Sequence, residues 1–289
     1  MPTLVPNTIA ATLNRATQKL NMLASPRLEA EALLAYLLNK DRSYLRGWPD
    51  KELTEQQQAQ FTLLVERRYQ NEPLAYITGQ REFWSLTLNV TPATLIPRPE
   101  TELLVEKALD HIPVESSWRI ADLGTGSGAI ALALASERRN CQLFATDISS
   151  AALKVATGNA QRLNLHNIHL CQGSWCEALP PLLFHMIVSN PPYIGENDPH
   201  LLEEGLLFEP HAALSPGGDS LAAIRTIIQQ TKKLLCSPGW LLLEHGFDQG
   251  EAVRRLLSHC DYSGITTYQD LAGHERLTMA QHQHNAAAK

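Results

Sequence analysis

From about residue 93 onward, short apolar segments alternate with segments of helical periodicity, and this alternation constrains the fold more than any other feature of the chain. Alternating strands and helices form right-handed crossovers and a largely parallel sheet that is covered on both faces. The apolar segments that predict strands are residues 119–122, 142–146, 168–171, 186–188 and 240–243. The segments that predict helices end near Ser136 or cover residues 150–163, 221–235 and 249–258.

Two further strand-like segments, residues 265–268 and 276–279, close the series. The Gly-containing turn between them is too short for a helical crossover, so these two strands must run antiparallel. We therefore predict an α/β fold with a seven-stranded, mostly parallel sheet and an antiparallel edge.

Only helical patterns occur in about the first 75 residues. Ser25 followed by Pro26 is typical of a helix start, and residues 54–57 form a Thr-x-x-Gln capping box. Residues 84–90 then alternate apolar and polar side chains, which predicts a half-buried strand, and together with residues 74–79 they indicate a hairpin-like linker. We predict a helical bundle over residues 1–75, a β-hairpin linker over 76–92 and an α/β domain over 93–289.

A glycine-rich segment, Asp122 to Gly128, follows the first strand of the α/β series and opens a helix. Glycines at this position let the backbone turn tightly and approach a ligand closely. Asp147 lies 19 residues beyond Gly128, at the end of the next strand, where its carboxylate can accept hydrogen bonds from ribose hydroxyls. The pattern fits both NAD and S-adenosylmethionine, and Asp122 favours a cationic ligand only weakly. The loop predicts a nucleoside cofactor and leaves the reaction open.

The segment Asn190-Pro191-Pro192-Tyr193 follows the fourth predicted strand, so it lies at the same sheet edge as the glycine loop. Two successive prolines restrict the backbone and remove its amide donors. The Asn190 side-chain oxygen and the Pro191 carbonyl can then accept the two hydrogens of a planar –NH2 group, beside the aromatic face of Tyr193. Such acceptors orient the nitrogen toward a methyl donor, and the segment therefore predicts methylation of an amide or of an exocyclic base amine.

These two motifs resemble those of class I S-adenosylmethionine-dependent methyltransferases that act on planar nitrogens, and more closely those of the release-factor glutamine methyltransferases, the HemK family. The resemblance covers nearly the whole chain and includes Pro-Arg-Pro-Glu-Thr at residues 97–101. It implies a class I methyltransferase (Rossmann-like) fold for the α/β domain. It also implies methylation of N5 of the glutamine in the Gly-Gly-Gln motif of bacterial class I peptide release factors, which modulates translation termination.

We expect no metal site, because Cys171 and Cys176 have no second ligand pair nearby. The resemblance implies roles for individual residues. Trp175 would lie against the adenine, and Asn190 would touch both cofactor and substrate. Ser174 departs from the family, which often has an acid before the tryptophan. The implied S-adenosylmethionine-binding residues are Gly124, Thr125, Gly126, Ser127, Gly128, Asp147, Trp175 and Asn190. The implied substrate-binding residues are Asn190, Pro191, Pro192 and Tyr193, of which Asn190, Pro191 and Tyr193 are the catalytic ones.

Two further segments are candidates for the substrate side. Arg98 and Glu100 lie in a proline-bracketed loop, which suits a lid or a substrate contact, with an interdomain salt bridge as the alternative. Residues 195–218 form a connection longer than ordinary loops, and we expect it to cover the substrate.

Composition limits the other function classes. The five cysteines form no Cys-x-x-Cys pair, and no apolar run is long enough to span a bilayer, so we expect a reduced cytoplasmic protein. The net charge of −6 argues against stable nucleic-acid binding and suits a basic protein substrate. We expect a monomer whose partners are release factors.

Four alternatives remain open from the sequence. A glutamine methyltransferase of a ribosomal protein would share the motifs, and so would an adenine-N6 DNA methyltransferase that acts on a flipped base. A dinucleotide oxidoreductase would explain the glycine loop but leave residues 190–193 without a role. A cofactor-binding module that only docks on the translation machinery would need no catalytic asparagine.

Overall fold

The computed structural model describes residues 7–202 and 205–283. The chain divides into two compact units, Met1–Gly79 and Gln80–Lys289. The first unit ends at Gly79, whose φ of 72° lies in the left-handed region that commonly follows a helix. None of the helices in the described ranges combines the length and the apolar character that a membrane span needs.

Helices make up the first unit, as the sequence predicts. They are α1 (Ile9–Lys19), α2 (Pro26–Leu38), α3 (Arg42–Gly47), α4 (Glu55–Tyr69) and α5 (Leu74–Thr78). The capping box of α4 is confirmed, because Thr54 Oγ1 accepts from Gln57 N while the Gln57 side chain accepts from Thr54 N. Pro26 begins α2, but the Ser25 side chain makes no capping hydrogen bond. The apolar faces of these helices share one buried core.

The hairpin that follows is shorter than the sequence pattern indicates. Strands β1 (Gln80–Phe83) and β2 (Leu86–Asn89) pair antiparallel. Trp84 and Ser85 form the turn between them, with φ of 51° and 58°. The strand predicted over residues 84–90 is therefore wrong at its start, because a two-residue hairpin turn needs left-handed residues there. Residues 74–78, which we assigned to the hairpin, form the helix α5.

The rest of the second unit alternates strand and helix as predicted. Its elements are α6 (Glu102–His111), β3 (Arg119–Leu123), α7 (Ala129–Glu137), β4 (Gln142–Asp147), α8 (Ser150–Arg162), β5 (Ile168–Gln172), β6 (Phe184–Ser189), α9 (His211–Leu214), α10 (Ala222–Thr231), β7 (Leu235–Glu244), α11 (Gly250–His259), β8 (Tyr262–Gln269) and β9 (Glu275–His282). Short 3-10 turns lie at Pro99–Thr101, Trp175–Ala178, Pro199–Leu202 and Leu206–Phe208.

Strands β3 to β9 form one sheet in the order β5-β4-β3-β6-β7-β9-β8. The pairs from β5 to β7 are parallel, while β9 is antiparallel to both β7 and β8. The predicted α/β fold, with a seven-stranded, mostly parallel sheet and an antiparallel edge, is confirmed for the described ranges.

The order of the sheet also locates its binding edge. The chain leaves β3 toward β4 on one side and later adds β6 on the other, so the topological switch point lies between β3 and β6. Leu123 is in register with Ser189, and Ser189 is in register with Leu243. The loops after these strands therefore begin at one level and meet at the carboxyl edge of the sheet.

Candidate active site

The glycine loop joins β3 to α7 and depends on glycine for its path. Gly124, Gly126 and Gly128 have φ of 75°, 57° and 88°, in the region that side chains rarely adopt. A Cβ at Gly128 would lie 2.8 Å from Leu132 Cδ1, and one at Gly124 would lie 3.1 Å from the Trp175 ring. A side chain at Gly128 would therefore collide with Leu132 of the following helix. At Gly124, the missing side chain leaves space beside the Trp175 ring.

Asp122 lies beneath this loop and holds its shape. Its Oδ2 accepts from the Thr125 hydroxyl at 2.6 Å and from Ala131 N at 3.2 Å. Burial, with a smaller contribution from the nearby Asp147 carboxylate, raises the pKa of the Asp122 carboxyl to about 7, although the hydrogen bonds from Thr125 and Ala131 lower it. Asp122 Oδ1 has no partner among the described residues. The side chain is buried under the backbone and does not line the cavity described below.

Asp147 ends β4 and connects it to the loop. Its Oδ2 accepts from Gly126 N at 2.9 Å, and its Oδ1 accepts from Ser149 N at 2.9 Å. Each carboxylate oxygen keeps lone pairs for a further donor. The residue predicted to bind a ribose is therefore held rigidly and remains able to accept hydrogen bonds.

A cavity of about 300 Å³, here called the glycine-loop cavity, opens above these residues. Five of the residues implied to bind the cofactor line it: Gly124, Gly126, Asp147, Trp175 and Asn190. The other three do not line it. Thr125 and Ser127 are buried under the loop, and Gly128 caps the N-terminus of α7. These three residues shape the loop from below.

A second cavity of about 550 Å³, here called the Asn-Pro-Pro-Tyr cavity, lies on the other side of the motif. Residues 190–193 line it together with Arg98, Phe247 and Arg276. Asn190 and Pro192 line both cavities. Asn190 and Pro192 form part of the wall that the two cavities share. A ligand atom in one cavity can therefore come close to a ligand atom in the other cavity next to Asn190.

Asn190 follows β6, and its side chain is oriented from behind. Its Nδ2 donates to Thr101 Oγ1 at 3.1 Å, which leaves Oδ1 available as an acceptor. Glu244, at the end of the neighbouring strand β7, is 3% exposed and lies against both side chains. Burial raises the pKa of Glu244 to about 7, while hydrogen bonds from Thr101 and Asn190 lower it.

Tyr193 is locked in place through its backbone. Its carbonyl oxygen accepts from Gln249 Nε2 at 3.0 Å, and Gln249 Oε1 accepts from Gly246 N at 2.9 Å. Burial raises the pKa of the Tyr193 phenol above its usual range, and the Glu244 carboxylate raises it further. The phenol is therefore neutral at physiological pH and supplies a polar but uncharged surface.

Arg98 forms an ion pair inside the second unit. Its guanidinium lies 2.5 Å from Glu209 Oε1, and Glu209 Oε2 accepts from Ile96 N at 2.9 Å. Arg98 also lines the Asn-Pro-Pro-Tyr cavity. For Arg98, the alternative of an interdomain salt bridge is wrong, because Arg98 and Glu209 belong to the same unit.

Residues of the long connection after the motif, 195–218, line both cavities. Gly195 and Leu206 line the Asn-Pro-Pro-Tyr cavity, Pro210 lines the glycine-loop cavity, and Ala213 lines both. Residues 203 and 204 of this connection lie outside the described ranges.

Sequence reasoning missed Thr101 and Glu244 as parts of the site. Thr101 ends the Pro-Arg-Pro-Glu-Thr segment, but nothing in that pattern indicates a contact with residue 190. Glu244 directly follows the apolar run 240–243, and a carboxylate at the end of a buried strand beside the motif strand was the available signal.

Two domain families match the chain. One is described as the PrmC N-terminal domain and covers residues 11–79, and the other is described as the Methyltransferase small domain and covers residues 99–254.

Three bacterial proteins named release factor glutamine methyltransferase are similar to nearly the whole chain. The Coxiella burnetii protein is 49% identical and covers 94% of this chain and 97% of its own length. The Vibrio cholerae protein is 50% identical over 95% of this chain and 97% of its own length. The Escherichia coli protein is 47% identical over 93% and 97%.

Solved structures with lower identity share the fold. A methyltransferase from Pyrococcus furiosus has a TM-score of 0.52 at 17% identity and covers 68% of this chain and 89% of its own. A 16S rRNA methyltransferase from T. thermophilus, solved with AdoMet and guanosine, has a TM-score of 0.53 at 16% identity and covers 71% of this chain and 50% of its own. At this identity the likeness supports the methyltransferase fold alone.

Proposed function

The chain belongs to the family of release factor glutamine methyltransferases, and we propose that it transfers a methyl group from S-adenosylmethionine to the N5 side-chain amide nitrogen of the glutamine in the Gly-Gly-Gln motif of class I peptide release factors. The observation that carries this proposal is the position of Asn190 in the wall shared by the two cavities. One cavity suits a nucleoside cofactor and the other suits a substrate side chain.

The glycine-loop cavity fits S-adenosylmethionine better than a dinucleotide. Asp147 presents carboxylate oxygens for a ribose, and the Trp175 ring supplies an apolar wall for a base. None of the described residues that line this cavity is a lysine or an arginine, and a carboxylate lies at its edge. This charge favours a sulfonium cation and disfavours a pyrophosphate, which usually receives basic side chains or several free backbone donors.

S-adenosylmethionine, when bound, supplies an electrophilic methyl group on its sulfonium. The chain contributes the orientation of the acceptor. Asn190 Oδ1 and the Pro191 carbonyl accept the two hydrogens of the substrate amide, which turns the nitrogen lone pair toward the shared wall. An amide nitrogen is barely basic, so no general base is needed before the attack. The new N–C bond would replace the C–S bond of the sulfonium, and one amide proton is lost once that bond has formed. Tyr193 closes the slot with a neutral phenol.

The residues that line the two cavities exclude water from the substrate amide. The connection from residue 195 to residue 218 lines both cavities, and the ion pair of Arg98 with Glu209 ties this connection to the segment before α6. Exclusion of water strengthens the hydrogen bonds to the amide and favours direct transfer. We attribute most of the rate enhancement to these two effects, orientation and desolvation.

The remaining parts of the proposal concern the context of the enzyme. We infer that residues 1–75 form a bundle that grips the substrate, that residues 76–92 are a linker containing the hairpin, and that residues 93–289 form the methyltransferase domain. We infer that the enzyme acts as a monomer in the cytoplasm, on a protein substrate and without stable nucleic-acid binding. Ribosomal proteins offer the same glutamine chemistry and are therefore tested alongside release factors.

Incubation with methyl-labelled S-adenosylmethionine tests the proposal. Purified release factor, ribosomal proteins and DNA are offered in parallel, and a release factor with its Gly-Gly-Gln glutamine replaced by alanine serves as the control. We expect label only in the unaltered release factor. Label confined to ribosomal protein or to DNA would overturn the assignment of the substrate. A complete absence of transfer would leave a docking module as the better description.

A further inference from the structure

Glu244 is a buried carboxyl that the mechanism above does not use. It is 3% exposed, and its Oε2 has no hydrogen-bond partner among the described residues. A buried charge without full compensation is costly, and such groups are concentrated at functional sites. The sheet sets its place. Leu243 is in register with Ser189, so Glu244, the last residue of β7, lies level with Asn190, the first residue after β6.

Three side chains converge behind the substrate motif: Thr101 from the turn before α6, Asn190 after β6, and Glu244 at the end of β7. Asn190 Nδ2 donates to Thr101 Oγ1 at 3.1 Å. Hydrogen bonding from the Thr101 and Asn190 side chains lowers the pKa of the Glu244 carboxyl, against the larger effect of burial. All three belong to the second unit.

We propose that Glu244 and Thr101 are positioning residues that hold the Asn190 amide in the single orientation that turns its oxygen toward the substrate amide; this inference rests on the proposed function. Neither residue touches the reacting atoms. Each acts through Asn190.

The hydrogen-bond chemistry determines this orientation. A carboxylate can only accept, so the single Thr101 hydroxyl proton is donated to Glu244, and Thr101 Oγ1 must accept from its other neighbour. Asn190 therefore has to present Nδ2 to Thr101, and Oδ1 faces the cavities. With the Asn190 amide flipped, its Oδ1 would face Thr101 Oγ1, and both atoms would be acceptors. The Asn190 –NH2 group would then face the –NH2 group of the substrate amide, and both groups would be donors. The negative charge of Glu244 also polarises the amide and strengthens Oδ1 as an acceptor.

Protonation of Glu244 removes the constraint, because a protonated carboxyl can donate to Thr101. The charged groups that act on this carboxyl are Arg276 of β9 and Glu100 of the turn before α6, and the neutral Tyr193 phenol lies beside it. Burial raises the pKa of Glu244 to about 7, so the carboxylate is the major form only above neutral pH. Turnover should therefore rise with pH through this range.

The test compares Glu244→Gln, Thr101→Val and Thr101→Ser with the wild type in the release-factor assay. Glu251→Gln serves as the matched control, because Glu251 is an exposed glutamate on α11. We expect Glu244→Gln and Thr101→Val to lower kcat by roughly 10- to 100-fold, the scale of a misplaced catalytic group. KM and the Kd of S-adenosylmethionine should stay near wild type in both variants, and the Tm of Thr101→Val should do so as well. Thr101→Ser, which keeps the hydroxyl, should retain most turnover, and Glu244→Gln should flatten the pH profile of kcat.

The side-chain amide resonances of Asn190 give a readout that needs no turnover. They are assigned by their absence in Asn190→Asp, and we expect them to shift with pH near neutrality in the wild type and not in Glu244→Gln. A constant position in the wild type would overturn the positioning role, as would a kcat of Glu244→Gln equal to that of Glu251→Gln or a loss that follows cofactor affinity or Tm. Failure of the proposed function looks different: the wild type then labels no release factor, while the resonances still titrate.

Discussion

Asn159 and Asn89 exchange two hydrogen bonds: Asn89 N donates to Asn159 Oδ1 at 2.8 Å, and Asn159 Nδ2 donates to Asn89 O at 2.9 Å. Asn159 Nδ2 also donates to Ser127 O at 2.9 Å. Since Asn159 is fully buried on α8, one amide connects the end of the hairpin to the glycine loop. The position of the glycine loop therefore depends on a side chain that lines neither the glycine-loop cavity nor the Asn-Pro-Pro-Tyr cavity.

Replacement of Asn159 by alanine should destabilise the fold and weaken cofactor binding. It removes the hydrogen bonds to Asn89 and Ser127 and leaves their buried backbone groups without partners, which costs about 2 to 4 kcal/mol in the free energy of unfolding. Urea denaturation and calorimetric titration with S-adenosylmethionine measure the two effects. Asn140→Ala, an exposed asparagine in the same unit, is the control and should change neither. Equal behaviour of the two variants would contradict the connecting role.

Asn190→Ala and Asp147→Ala should separate turnover from cofactor binding. Asn190 supplies an acceptor in the wall between the cavities, so its loss should lower kcat by roughly 100-fold or more while the cofactor still binds. Asp147 lines the glycine-loop cavity but not the Asn-Pro-Pro-Tyr cavity, so its loss should mainly raise the Kd of S-adenosylmethionine. Kinetics at saturating cofactor and direct binding titrations give both values. The opposite pattern would mean that the two roles are exchanged.

Two glycine-to-alanine variants should change stability in opposite directions. At Gly128, φ is 88° and a Cβ would lie 2.8 Å from Leu132, so alanine should destabilise the fold by roughly 2 kcal/mol or more. Gly158 lies inside helix α8 with no atom within 4 Å of an added Cβ, so alanine there should stabilise it by about 0.5 to 1 kcal/mol. Thermal unfolding measures both. Similar Tm values for the two variants would show that the loop tolerates a side chain at residue 128.

Stability should fall as the pH rises toward neutrality, partly because of Asp122. The unfolded chain loses this proton near the ordinary pKa of 3.8, whereas burial keeps it on the folded protein to about pH 7. The favourable contribution is thus complete below pH 4 and is lost as the pH rises through 7. The loss amounts to roughly 4 kcal/mol, at about 1.4 kcal/mol for each pH unit over which only the unfolded chain is ionised.

Asp122→Asn should therefore show a shallower dependence of unfolding free energy on pH between about pH 4 and 8. Urea denaturation at several pH values measures it. Glu244 adds a second contribution of the same sign, because burial raises the pKa of that carboxyl to about 7 as well, so some dependence should remain in the variant. Parallel curves for variant and wild type would contradict the assignment to Asp122.

Much of the fold could be predicted because its signals are local. Burial of the central strands on both faces makes residues 186–188 continuously apolar, and a short turn between β8 and β9 permits only antiparallel pairing. The errors concern segments where packing outweighs local pattern. Trp84 and Ser85 alternate like strand residues, yet the hairpin needs them in its turn, and the helix α5 has too few residues to show a period.

The sequence by itself determined the class of chemistry, because the glycine loop and residues 190–193 require special backbone conformations that only glycine and proline favour. Only the tertiary structure decided which residues share a cavity and which support it from behind. Thr101, Asn159 and Glu244 lie far from the motifs along the chain, and their partners are set by the register of β6 with β7 and by the packing of α8. Contacts between distant segments leave no period in the sequence, so the supporting residues of this site become visible only in three dimensions.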